Sequence, residues 1–138
     1  MADKVSKLSY AYVTVPDRAG QGAKVLAALR KARLNMEAYS GFPAGGGKAQ
    51  IDIVPESMAA LKRVARREGW KLSRPKRCFV IRGKDRVGAV ESTIAKLGKA
   101  GVSVTAATAM NAGRGAYSMV LWVKPKSFAK AAKALKAR

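Results

Sequence analysis

The alternation of apolar and polar residues predicts a strand at 9–15, near the start of the chain. Ala11, Val13 and Val15 would share one side of this strand, and Pro16 ends it. The apolar spacing then becomes helical, and the helix is expected to run to about Arg33. Beyond it, the same spacing rules give strands at 34–42 and 49–54, a helix that begins near 55–57 and ends at Gly69, and a short strand at 70–72. This order, βαββαβ, is the split βαβ arrangement.

The same pattern restarts at Cys78. A strand is followed by a helix with an apolar stripe, by strands at 103–110 and 117–123, and by a final helix that contains Phe128. No residues remain for a sixth element, so this second sheet must be one strand short or borrow an edge from elsewhere. The predicted fold class is α+β, with two ferredoxin-like βαββαβ modules, the second lacking its last strand, and antiparallel sheets with helices on one face. The modules are expected at 1–75 and 78–138, with a basic linker at about 73–77.

The outward face of the second predicted sheet is apolar. Where the first copy has Tyr10, Tyr12, Asp52 and Val54, the second has Cys78, Val80, Val120 and Trp122. An apolar outer face of a sheet needs a cover. We therefore expect this face to be buried against another module or subunit.

A short turn sequence occurs twice in the same setting. Asp17-Arg18-Ala19-Gly20 recurs 68 positions later as Asp85-Arg86-Val87-Gly88, each time between a predicted strand and a predicted helix. Glycine permits a positive φ, and the first free N–H groups of the helix form a partial positive site suited to a carboxylate or phosphate. The two aspartates are expected to cap the turns, and the two arginines could pair with an anionic ligand group.

The composition restricts the chemistry. Lys and Arg number 28 against 8 Asp and Glu, which gives a net charge of +20 and a non-specific attraction for anions. A single cysteine and the lack of histidine exclude an intrachain disulfide and leave no plausible zinc site. No nucleophile lies beside a base and no carboxylates are predicted to converge, so neither an enzyme nor a cofactor is expected. Because no apolar run has signal-peptide or membrane-spanning length, a cytoplasmic protein without membrane contact is expected.

Both copies of the turn lie in segments that resemble the signature of the ACT domain, a small-molecule regulatory module of amino-acid metabolism. In the first copy the resemblance is carried by Val15-Pro16-Asp17-Arg18-Ala19-Gly20, by the helix end Leu29-Arg30-Lys31-Ala32-Arg33-Leu34, and by Asn35-Met36. In the second it is carried by Asp85-Arg86-Val87-Gly88 and by Lys99-Ala100-Gly101-Val102-Ser103-Val104. The resemblance covers nearly the whole chain and implies a tandem ACT protein with no attached enzyme.

The resemblance also implies a ligand site. Effectors of that family, commonly amino acids, bind at the interface between two modules, so a homodimer or higher oligomer is expected. Carried over to this sequence, the ligand-binding positions are Asp17, Arg18, Ala19, Gly20, Gln21 and Asn35 in the first copy, and Asp85, Arg86, Val87, Gly88 and Ala89 in the second. Arg33 replaces the usual Gly, and Ser103 stands where Asn is common. The loss of that amide makes the first copy the better candidate, and the alternative that both turns only close the fold stays open.

A second class of function remains open because basic residues cluster at 62–77. This cluster is either a solvated face or a nucleic-acid surface. Tyr10 and Tyr12 suit the first strand of an RNA-recognition module, but the third strands lack aromatics in the required phase, so sequence-specific RNA binding is not expected. The prediction is a regulatory protein that binds an amino acid or similar small carboxylate. The alternative is a basic ferredoxin-like protein that binds nucleic acid non-specifically, or a scaffold that binds no ligand.

Overall fold

The computed structural model describes residues 3–138, which form six strands, four α-helices and one 3-10 turn. The elements are β1 (Lys4–Pro16), α1 (Gln21–Lys31), β2 (Met36–Gly45), β3 (Lys48–Pro55), α2 (Met58–Glu68), β4 (Lys76–Lys84), α3 (Ala89–Lys99), β5 (Val104–Gly113), β6 (Ala116–Val123), the 3-10 turn (Pro125–Ser127) and α4 (Phe128–Leu135). The α+β class with antiparallel strand pairing is therefore confirmed.

Residues 9–76 form one compact unit. Its strands lie in the order β2-β3-β1, with antiparallel registers that pair Val13 with Ile51 and Tyr39 with Ile53. Helices α1 and α2 bury their apolar stripes against one face of these strands. The core contains Ala11, Val13, Val25, Ala28, Leu29, Ile51, Ile53, Leu61 and Val64.

Residues 3–8 and 77–138 form the other compact unit. Its strands lie in the order β1-β4-β6-β5, and α3 and α4 pack on them. Its core contains Val5, Phe79, Ile81, Ala89, Leu97, Val102, Tyr117, Met119, Leu121, Val123, Phe128, Ala131 and Leu135. The rings of Phe79 and Phe128 stack with their centroids 4.5 Å apart.

The start of β1 differs from the sequence prediction. The strand was expected at 9–15, but it begins at Lys4, and its first residues pack in the unit that holds residues 77–138. Val5 is buried there, the Lys7 N–H donates to the Arg138 carbonyl at 2.9 Å, and the Arg138 N–H donates to the Val5 carbonyl at 3.0 Å. The second unit thus borrows a strand from the beginning of the chain, and Val5 packs in its core. Residues 1 and 2 of the predicted 1–75 module lie outside the described residues.

Two further expectations are corrected or refined. The predicted strand at 70–72 is not formed; this segment has no ladder, although the Ser73 N–H donates to the Tyr12 carbonyl at 2.9 Å. On the second outer face, Cys78, Val80 and Trp122 are buried, and Val120 is partly buried. The covering of this face by another module or subunit stays a prediction.

The backbone that ends helix α1 contains a residue in a strained conformation. Arg33 has a φ of 55°, and the Leu34 N–H donates to the Leu29 carbonyl at 3.0 Å, which closes the helix. At the equivalent place after α3, Gly101 has a φ of 72° and the Val102 N–H donates to the Leu97 carbonyl at 2.9 Å. The arginine therefore adopts the backbone conformation that glycine supplies in the second copy.

We expect Arg33→Gly to stabilise the protein by about 1 kcal/mol, because a side chain in the left-handed region costs 1–2 kcal/mol and the greater freedom of an unfolded glycine offsets part of the gain. Urea unfolding at pH 7 measures this change. The reverse substitution, Gly101→Arg, should destabilise by a similar amount. If both substitutions destabilise, the arginine side chain makes compensating contacts and the strain argument is wrong.

Candidate functional site

The turn at residues 17–20 connects β1 to α1 and forms one side of the first candidate site. The Asp17 N–H donates to the Gly47 carbonyl at 2.9 Å, which holds the turn against the β2–β3 hairpin. Gly20, rather than Asp17, is the N-cap of α1, and its φ of 88° would strain any side chain. No side chain caps this helix, so N–H groups of its first turn have no acceptor within the helix.

An open cleft of 260 Å³ lies between this turn, the start of α1 and the edge strand β2. Arg18 and Gln21 line it on the helix side, and Tyr39 and Phe42 line it on the strand side with 44% and 41% of their surface exposed. Helix α1 has no acidic residue in its first turn. The cleft therefore offers a cation, free N–H groups, an apolar wall and one carboxylate, that of Asp17, which suits a small molecule carrying both a carboxylate and an ammonium group.

The second turn, at residues 85–88, has the same backbone shape but is held by side chains. Gly88 is the N-cap of α3 with a φ of 85°, and the Asp85 N–H donates to the Gly115 carbonyl at 2.8 Å. The Asp85 carboxylate accepts from the Arg86 N–H at 3.0 Å and from Asn111 Nδ2 at 2.8 Å. Asp85 thus caps its turn, as expected, and both of its oxygens are occupied within the protein.

Arg86 is also engaged within its own unit. Its Nη1 donates to the Lys84 carbonyl at 2.7 Å and to Asp3 Oδ1 at 3.3 Å, while the Tyr117 hydroxyl donates to Asp3 Oδ2 at 2.5 Å. The hydrogen bond to Asp3 raises the pKa of Arg86, and burial together with the hydrogen bond to Asp3 raises the pKa of Tyr117. Arg18 pairs with no carboxylate in residues 3–138. The two repeated arginines therefore have different roles.

A second open cleft, of 390 Å³, lies beside the 85–88 turn and the edge strand β5. Its walls include Val90, Met110 and Tyr117, but also Glu91, which lies in the first turn of α3. That carboxylate interacts favourably with the positive end of the helix and repels a second anion. Charge therefore makes this cleft less suited to a carboxylate ligand than the first.

The structure brings part of each predicted set of ligand residues to one cleft. In the first copy, Asp17, Arg18 and Gln21 line the cleft, whereas Ala19 and Gly20 belong to the turn but not to the lining. Those of the second that line its cleft are Asp85, Arg86, Gly88 and Ala89, whereas Val87 points to solvent and is fully exposed.

Asn35 is the predicted residue that lies elsewhere. Its carbonyl accepts from the Glu56 N–H at 3.1 Å, at the end of β2 opposite the hairpin that holds the 17–20 turn. Asn35 does not line the first cleft, and Tyr39, four positions further along the chain, is the first residue of β2 that does. Four residues of a strand span about 13 Å. The ligand role of Asn35 therefore stays a prediction.

Three residues that organise the second site were not predicted: Asp3, Asn111 and Tyr117. The alternation of residues along β6 places Tyr117 on the buried side. Because a buried tyrosine hydroxyl usually has a hydrogen-bond partner, the sequence did indicate that Tyr117 forms such a bond. No local pattern could indicate that the partner is Asp3, because the two residues are 114 positions apart.

Within residues 3–138, no group of three or more His, Cys, Asp or Glu side chains is placed to hold a metal ion. No helix of this part of the chain is long and apolar enough to cross a membrane.

Comparison with known proteins gives matches in structure but not in sequence. No family model matches the chain, and no curated protein sequence matches it. A protein from Bacteroides thetaiotaomicron superposes with a TM-score of 0.79 and 15% identity, over 97% of this chain and 88% of that one. The ligand-free regulatory subunit of aspartate kinase from Thermus thermophilus gives a TM-score of 0.63 and 14% identity, over 99% and 95%.

The regulatory subunit of aspartate kinase from Thermus flavus is similar as well, with a TM-score of 0.55 and 15% identity over 99% of this chain and 95% of that chain. Because these identities are low, the likeness concerns the fold. The chain therefore shares its fold with regulatory subunits of aspartate kinase, and this fold is the one that the sequence resemblance implied.

We expect Tyr117→Phe to destabilise the protein by about 1.5 kcal/mol at pH 7, because the Asp3 carboxylate loses its short hydrogen bond. The raised pKa of Tyr117 means that folding favours the protonated phenol, so this stabilisation is present below the ordinary value of 10.0 and is lost as the pH rises further. In urea unfolding, the difference between wild type and variant should therefore be constant below pH 10 and shrink as the pH rises above that value. The control is Tyr39→Phe at an exposed tyrosine, which should leave stability unchanged at every pH. Equal losses in both variants would contradict the role given to Asp3.

Proposed function

We propose that this chain is a cytoplasmic, non-catalytic regulatory protein of two ACT-like modules, close to residues 1–75 and 78–138, that binds an amino acid or similar small carboxylate. Each module would be ferredoxin-like, and the second would use the start of β1 in place of a last strand of its own. The repeated strand–turn–helix, with a left-handed glycine and an open cleft beside an edge strand, carries this proposal. The regulatory fold of the structural neighbours supports it.

The ligand binds in the first cleft. Its carboxylate pairs with Arg18 and with the free N–H groups at the start of α1, and its ammonium group faces Asp17. Its side chain packs on the exposed faces of Tyr39 and Phe42. The second turn serves the fold, because Arg86 and Asp85 are held by protein groups and Glu91 opposes an anion.

A second copy of the chain completes the assembly. Strand β5 is an edge strand that is exposed along nearly its whole length, and Met110 on it is 63% exposed. Val87, Val90 and Ile94 on and before α3 are exposed as well, which gives an apolar surface that a monomer would leave in water. Ligand binding then favours one arrangement of modules over another and so changes contact with a partner protein.

Amino acids should stabilise the protein in a thermal-shift screen, with a gain of about 2.7 kcal/mol at one hundred times the dissociation constant. Arg18→Gln should weaken the binding of the active amino acid at least tenfold, since it removes a charge-assisted hydrogen bond. The matched variant Arg86→Gln should lower the melting temperature of the free protein and leave its ligand-induced shift intact. If no amino acid shifts the melting temperature, or if Arg86→Gln alone abolishes the shift, the proposed site is wrong.

Met110→Glu should dissociate the proposed dimer, because it places a charge in the centre of the apolar surface around β5. Sedimentation velocity over a range of concentrations measures the change, which we expect to be at least tenfold in the dissociation constant. Phe42→Glu is the matched control, since it makes the same change on the other edge strand, β2. A dimer that survives Met110→Glu but not Phe42→Glu would place the contact at β2.

A further inference from the structure

The outer face of α2 is a dense array of cations. Lys62, Arg63, Arg66 and Arg67 are all exposed, while Leu61, Val64 and Ala65 are buried against the sheet. At helical spacing they form two i, i+4 pairs, Lys62 with Arg66 and Arg63 with Arg67, whose members are about 6 Å apart along the axis. The positive charges therefore lie in two parallel rows on one side of the helix.

This charge is not neutralised by the protein. The single ion pair on the helix joins Arg67 Nε to Glu68 Oε2 at 3.2 Å with both side chains well exposed, and such a surface pair is weak. Helix α1, which shares the core of this unit with α2, adds Lys24, Arg30 and Lys31 and contains no acidic residue. The helix layer of this unit, defined as α1 and α2, thus presents seven exposed cations and one carboxylate.

The array matches a polyanion of regular charge density. An 11-residue helix is about 16 Å long. Double-stranded nucleic acid carries one negative charge per 1.7 Å of its axis, or about 10 over that length. The phosphates along this length of duplex thus outnumber the seven exposed cations of the helix layer.

Two other polyanions fit less well. A membrane surface is bound by helices that insert an apolar face, but the apolar stripe of α2 is already buried in the core. Single strands are bound by stacking bases on open aromatic rings, and the helix layer has no aromatic residue. Tyr10 and Tyr12, the aromatic residues of β1 in this unit, are both partly buried, and Lys76 Nζ lies 5.4 Å from the ring centroid of Tyr12.

We propose that the helix layer of residues 9–76 binds the phosphate backbone of double-stranded nucleic acid without regard to sequence. This inference is independent of the amino-acid site, because it uses the face formed by α1 and α2 rather than the cleft beside Arg18. Combined with that site, it would make the protein a nucleic-acid-associated sensor.

The test is fluorescence anisotropy with a labelled 20-base-pair duplex between 50 and 200 mM salt. The slope of log K against log salt is negative, and each lost phosphate contact makes it less negative by about 0.9. The slope of the variant Lys62→Gln/Arg63→Gln/Arg66→Gln/Arg67→Gln should therefore be less negative than that of the wild type by about 3 to 4. Over this salt range, the wild type should lose about 100-fold more affinity than the variant.

The matched control removes four exposed lysines of the other unit: Lys124→Gln/Lys126→Gln/Lys130→Gln/Lys133→Gln. It changes the net charge equally and should leave the slope within about one of the wild type. If the slope changes by the same amount in the control and in the test variant, binding depends only on the net charge of the protein, and the proposal is overturned. It is also overturned if phosphatidylserine vesicles or a single strand of equal length bind tenfold more tightly than the duplex.

Should the quadruple variant melt at a lower temperature than the wild type, Arg63→Gln/Arg67→Gln replaces it. The slope of log K against log salt for this double variant should be less negative than that of the wild type by about 2. A slope unchanged from the wild type overturns the proposal.

Discussion

Both units depend on one backbone constraint, which is that a strand must become a helix within four residues. At Gly20 and Gly88 this is achieved by a left-handed residue at the N-cap, which a side chain would strain. The same geometry leaves N–H groups of the helix unpaired and places them beside an edge strand. The fold and the candidate ligand cleft therefore have a common cause, and a substitution at either glycine would affect both.

The repeated turn is a single motif with two chemical environments. In the second copy, Arg86 donates a hydrogen bond to Asp3, and Asn111 donates one to Asp85. Glu91 places a carboxylate in the first turn of α3. In the first copy, none of these neighbours is present, and Arg18 is left for an external partner. The same turn motif therefore has a structural role in the second copy and a proposed binding role in the first. The cause is that neighbouring side chains bond the aspartate and the arginine of the second copy but not the arginine of the first.

Apart from the strand expected at 70–72, local patterns predicted the order of the elements and the repeated turn, because apolar periodicity and turn residues act over a few positions. The fold shared with the aspartate kinase subunits was predicted by the family resemblance. Local patterns did not predict that Val5 packs with the second unit, since Lys4 to Leu8 is too short a stretch to reveal its partner. The family resemblance also placed Asn35 in the first site, whereas Asn35 does not line that cleft. The contacts of Asp3 with Arg86 and Tyr117 join distant parts of the sequence and could be found only in three dimensions.

The pairing of Val5 with Arg138 has a consequence for the kinetics of folding. These two residues lie near opposite ends of the sequence, so their hydrogen bonds close a loop of almost the whole chain and carry a large entropic cost. Contacts at such separation form late and slow the folding reaction. The unit of residues 9–76, which contains the β1–β3 and β2–β3 pairs, is expected to acquire protection from hydrogen exchange before the backbone amide of Lys7 does.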